Sequence, residues 1–185
     1  MTQTIKNWRI YCKATFKSLC ANLEDWDTND EDIVRIITRI YYEGVFSCGL
    51  GDTGLISENA LNDPDNRTDD HCFSPQFVGR FIMDNAHIYL ADYNTFEKIF
   101  VESCTKIKVT KKENKKLSQL TVNKRGKAYA VLVPTDKKYD HIGIKLYKRP
   151  DGKKRWNTSQ PTTERVTYLK ELLEYEEQFL IFHRM

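Results

Sequence analysis

The sequence has no long apolar run, no closely paired cysteines and little net charge, and each shortage narrows its class. No stretch approaches the roughly 20 apolar residues of a membrane span. Met1 to Arg9 is polar apart from one Ile and one Trp, and lacks the apolar core of a secretory leader. The expectation is a cytoplasmic protein with no membrane partner. The cysteines are Cys12, Cys20, Cys48, Cys72 and Cys104, an odd number with no C-x-x-C pair. Reduced thiols are the better reading, and a zinc site drawn from Cys48, His71, Cys72 and Cys104 the poorer one. Gly49-Leu50-Gly51-Asp52-Thr53-Gly54 is glycine-rich but lacks the Gly-Lys-Ser/Thr ending of a phosphate-binding loop. Internal repeats and low-complexity tracts are absent.

What is present is an uneven distribution of charge over 185 residues whose formal net charge is +3. Before Lys106, acidic residues outnumber Lys and Arg by about 17 to 9. From Lys106 to Arg155 the balance reverses, to about 17 basic against 4 acidic. A body with a basic face suits a polyanion, and the competing reading is an ordinary solvated surface.

The hydrophobic pattern predicts an α+β fold in a single domain, 1–185, with helices packed on a small antiparallel sheet. A helical part spans about 1–44, a central unit about 45–122, and basic hairpins with a C-terminal helix about 123–185. Helices are expected over Asn7–Ala21, after Thr28-Asn29-Asp30-Glu31 as far as Gly44, over Pro75–Asp84 and after Asn94-Thr95-Phe96-Glu97. Lys106–Val109 reads as a strand, and Thr110-Lys111-Lys112-Glu113 as a capping box opening another helix. Lys127–Val133, His141–Lys148 and Lys153–Thr158 read as antiparallel strands, and Thr163–Phe182 as a long helix.

Chemistry concentrates at Thr68-Asp69-Asp70-His71-Cys72-Phe73-Ser74-Pro75, where two carboxylates adjoin a histidine just before a helix start. A carboxylate there can hold a divalent metal, and the imidazole can take a proton from water. Downstream, Val109-Thr110-Lys111-Lys112-Glu113-Asn114-Lys115-Lys116-Leu117 runs from strand to helix.

Together these two stretches, about 15 residues, resemble the HNH endonucleases, a family with small phage and homing members built on a ββα-metal unit. The resemblance implies a metal-dependent DNA endonuclease, sequence-specific in the homing or phage manner and acting in a bacterial host. It implies His71 as general base, and Asp70 and Asn114 as ligands of one Mg or Mn ion. Asp69 would support the site, while Asn85 and Asn94 are alternatives for the family's remaining asparagine. Lys111, Lys112, Lys115, Lys116, Lys124, Arg125, Lys127, Lys153, Lys154 and Arg155 would grip the DNA backbone, and a homodimer is compatible with this reading.

Three other readings stand beside it. Asp69-Asp70 before Ser-Pro is also what a capped turn looks like, and Glu113-Asn114 is what a capping box produces. The chain could be a non-catalytic nucleic-acid binder, with Tyr129, Tyr139, Tyr147 and Trp156 stacking on bases among the lysines. It could also be a phage accessory protein that binds another protein through its acidic half. His87, His141 and His183 fit surface positions better than ligand positions.

Overall fold

The computed structural model describes residues 3–122, 130–149, 161–162 and 166–181. In chain order the helices are α1 (Gln3–Ala21), α2 (Glu31–Cys48), α3 (Glu58–Asn62), α4 (Pro75–Asp84), α5 (Ala86–Tyr89), α6 (Tyr93–Ser103), α7 (Lys111–Leu117), α8 (Lys138–His141) and α9 (Lys170–Glu177). The strands are β1 (Asp52–Ser57), β2 (Arg67–His71), β3 (Lys106–Thr110), β4 (Thr121–Val122), β5 (Ala130–Val131) and β6 (Leu146–Lys148). The fold is α+β. Among the described residues no helix is long and apolar enough to cross a membrane. The chain divides into two compact units, 1–51 with 73–104, and 52–72 with 105–185.

The first unit is helical. Asp30, not Thr28, caps α2, because its carboxylate accepts from the Asp32 and Ile33 amides at 3.0 and 3.1 Å. The same replacement occurs at α6, where Asp92 rather than Asn94 caps the helix. In both cases an Asp two residues away competes successfully for the cap. Helix α2 runs past Gly44 and stops at Gly49, whose φ of 70° is the left-handed terminator. Gly44 serves packing instead: a Cβ there would lie 1.9 Å from Thr15 Oγ1 on α1. Tyr41 fills the centre, fully buried, with its hydroxyl 2.7 Å from Ser103 Oγ and its ring edge-on to Phe96 and Phe100.

The second unit holds a four-stranded sheet of order β2-β3-β1-β6. It is mixed, not antiparallel, because β1 and β3 run parallel while β2 and β6 flank them antiparallel. Central β1 is buried on both faces at Leu55 and Ile56, which hides the alternation a half-exposed strand would show. Edge strand β2 is Arg-Thr-Asp-Asp-His, the charged composition that keeps an edge from pairing further. The core lies on one face, where Leu55, Ile107, Val109 and Leu146 meet Leu117, Tyr139, Ile144 and Val166.

The other expected strands fare differently. Lys127–Val133 is represented by β5, which pairs with β4 in a separate two-stranded sheet. His141–Lys148 divides into the end of α8, a turn at Gly143 and the short β6. Lys153–Thr158 lies outside the described residues. Of the expected C-terminal helix, Lys170–Glu177 is helical and the buried Val166 precedes it.

Candidate nucleic-acid interface

The register of β2 decides what Asp70 and His71 can do together. Arg67 pairs with Thr110, Asp70 with Ile107 and His71 with Lys106, with no bulge between. Successive side chains of a regular strand leave opposite faces. Asp70 therefore shares the core face with Ile107, while Asp69 and His71 share the other face with Lys108 and Lys106.

On the core face Asp70 is 8% exposed, and its Oδ2 is already engaged. It accepts from the Tyr139 hydroxyl at 2.5 Å and lies 2.8 Å from the Lys138 ammonium. That ammonium also donates to the carbonyls of His71 at 3.0 Å and Cys72 at 2.8 Å. Three acceptors satisfy the three donors of Lys138. The buried pair ties α8 to the end of β2, and the polar run Asp136-Lys137-Lys138 carries no sign of it in sequence. Burial, with the neighbouring Cys72 thiol and Asp70 carboxylate, holds the Tyr139 phenol well above its ordinary range, so it stays a donor.

On the other face His71 is half-buried, and its Nε2 is buried without a hydrogen-bond partner. Burial and the nearby Lys106 cation push its pKa down to about 4, outweighing the carboxylates of Asp70 and Asp69. Asp69 pairs with Lys108 at 2.9 Å across the strands. These two line a shallow recess with Arg67 and Thr68.

Asn114 lies on α7. The capping box forms as expected: Thr110 Oγ1 accepts from the Glu113 amide at 3.2 Å, and Glu113 Oε2 accepts from the Thr110 amide at 2.8 Å. Glu113 also accepts from the Ser57 hydroxyl at 2.7 Å and the Asn59 amide at 2.9 Å. Burial would raise its pKa, but these donors prevail and hold the carboxyl below its usual value. Ser57 and Leu117 both belong to the core side, so α7 covers the face that Asp70 occupies. Asn114 and His71 are consequently on opposite sides of the sheet.

The residues present do not fit the Mg or Mn centre that the resemblance implies. Asp70 is committed to Lys138 and Tyr139, His71 points away from it, and the helix carrying Asn114 covers the face opposite His71. Among the described residues no group of three His, Cys, Asp or Glu is placed to hold a metal ion. Asn85 and Asn94 lie in the helical unit at helix ends. Asn85 donates to the Phe81 carbonyl at 2.9 Å, and the Asn94 amide donates to Asp92.

The basic residues are better placed. Lys111, Lys112, Lys115 and Lys116 are all exposed on α7, and no carboxylate among the described residues pairs with them. At 3.6 residues per turn they span an arc of about 140° facing away from Glu113 and Leu117. Lys124, Arg125, Lys127, Lys153, Lys154 and Arg155 lie outside the described residues, as do Tyr129 and Trp156. The stacking expected of Tyr139 and Tyr147 is corrected. Both rings are buried, at 4% and 7% exposure, and their hydroxyls bond to Asp70 and Glu58. No family model, curated protein or solved structure matches the chain.

Proposed function

We propose that this chain is a nucleic-acid-binding protein that grips phosphates through the lysine face of α7, with no reaction assigned to it. The supporting observation is that four neighbouring lysines are exposed, with no ion-pair partner among the described residues, on one side of a helix whose other side is anchored through Glu113 and Leu117. Cations clustered on an anchored helix, without counter-charges among the described residues, suit a polyanion, because no such ion pair must break on binding. DNA is the partner expected, in a cytoplasmic setting. Dimerisation of the chain would double the phosphate contacts of each complex.

The test is salt-dependent binding of a fluorescent duplex. Four phosphate contacts contribute a slope of about −3.6 in log K against log salt. Replacing all four lysines by Ala, the best helix former, should flatten the slope by about 3.6 while leaving the fold intact. An unchanged slope in that variant would refute the proposal. Hydrolysis of HNH type is the weaker reading, and supercoiled plasmid incubated with Mg or Mn should stay uncut, as in the EDTA control.

A further inference from the structure

On the helical unit, the outer side of α2 exposes apolar side chains that no described residue of that unit covers. Ile36 is 54% exposed and Phe46 61% exposed. Tyr42 and Phe46 stack at 5.7 Å with a 13° interplanar angle, and the Arg39 guanidinium lies 4.2 Å from the Tyr42 ring centre. Arg39 Nε donates to Glu43 Oε1 at 2.7 Å. The rings and the charges are thus already ordered on the surface, which lowers the entropy cost of covering them.

The order of residues along this side is self-complementary. Ile36 and Phe46, and Arg39 and Glu43, are each symmetric about position 41. A two-fold axis at that level, with two α2 helices antiparallel, sets each of these four residues across from its counterpart, as an isologous interface requires. Apolar then meets apolar, with Ile36 against Phe46 of the second copy. Charge meets opposite charge, with Arg39 against Glu43 of the second copy. The matched stretch, 36–46, is eleven residues, or about 15 Å of helix.

We infer that α2 is the dimerisation surface of this protein, and that its partner is a second copy of the same chain packed antiparallel, with the two-fold axis at the level of residue 41. One helix face is small for an interface, so the dimer is weak and concentration-dependent. Parallel pairing is disfavoured because it would set Arg39 against Arg39.

Sedimentation equilibrium of the full chain from about 1 µM to about 1 mM spans the affinities expected of such a contact. The average mass should rise towards twice the monomer mass across that range. Phe46→Asp should weaken association about tenfold or more, with circular dichroism unchanged because Phe46 is exposed. Arg39→Glu and Glu43→Arg should each weaken it alone. An equimolar mixture of those two variants should associate again, because both contacts across the axis become attractive. A monomer at every concentration would overturn the inference. So would a dimer indifferent to Phe46→Asp, or charge variants that do not rescue each other.

Discussion

Asp70→Asn should cost the fold about 3–5 kcal/mol, the penalty for leaving one member of a buried ion pair unpaired. The side chains of Lys138 and Asp70 are only 10% and 11% exposed, so solvent cannot replace the lost partner. The neutral amide retains the shape and can still accept from Tyr139, which isolates the charge. Lys138→Met removes the cation instead and leaves the carbonyls of His71 and Cys72 without that donor. The double variant should be less destabilised than the sum of the two singles, with a coupling of about 1–3 kcal/mol. Urea denaturation read by tryptophan fluorescence and circular dichroism measures this, with the m-value as a check that the transition is unchanged in kind. A loss under about 1 kcal/mol for Asp70→Asn would refute the reasoning, since a carboxylate held free for a ligand is dispensable to the fold. Had Asp70 been kept for a metal, the same substitution would abolish metal binding and leave stability almost intact.

Two further outcomes follow from the same geometry. His71 is neutral in the folded chain down to about pH 4, whereas the unfolded chain protonates it near 6.5. The unfolded state therefore binds the extra proton between those values, and stability falls as pH drops through that window, by up to about 3 kcal/mol. His71→Asn should flatten this part of the pH–stability curve, and an unchanged curve would contradict the assigned burial. Gly44→Ala should destabilise the helical unit by about 1–3 kcal/mol through overpacking against Thr15, seen as a lowered melting temperature. Thr15→Ala in the same chain should recover part of that loss.

Local signals were legible in the sequence, and long-range pairing was not. Thr110-Lys111-Lys112-Glu113 specifies its capping box within four residues, and it forms as written. The stripe Phe77, Val78, Phe81 and Ile82 is buried as its helical period implies. The helix after Asp30 was equally readable, but its apolar face is wider than its buried face. Ile37 and Tyr41 point inward while Ile36 stays out. The strand Asp52–Ser57 was hidden by glycines, with Gly51 and Gly54 at φ of 97° and 71°, and by burial on both faces. Its parallel partner lies some fifty residues downstream. Asp70-His71 was legible as a pair of polar groups, but a strand's two-residue period separates what sequence adjacency joins. Lys138 and Tyr139, which claim Asp70, are nearly seventy residues away and sit in a run that reads as solvated surface.

Contact between the α7 lysines and phosphate is read directly by amine modification followed by peptide mass mapping. Limited acetylation of the full chain, with and without a slight excess of duplex at low salt, should show Lys111, Lys112, Lys115 and Lys116 protected by the duplex. Lys13 and Lys170, exposed elsewhere, should be modified equally in both. Equal modification of the α7 lysines with duplex present, under conditions where the duplex is bound, would contradict the account.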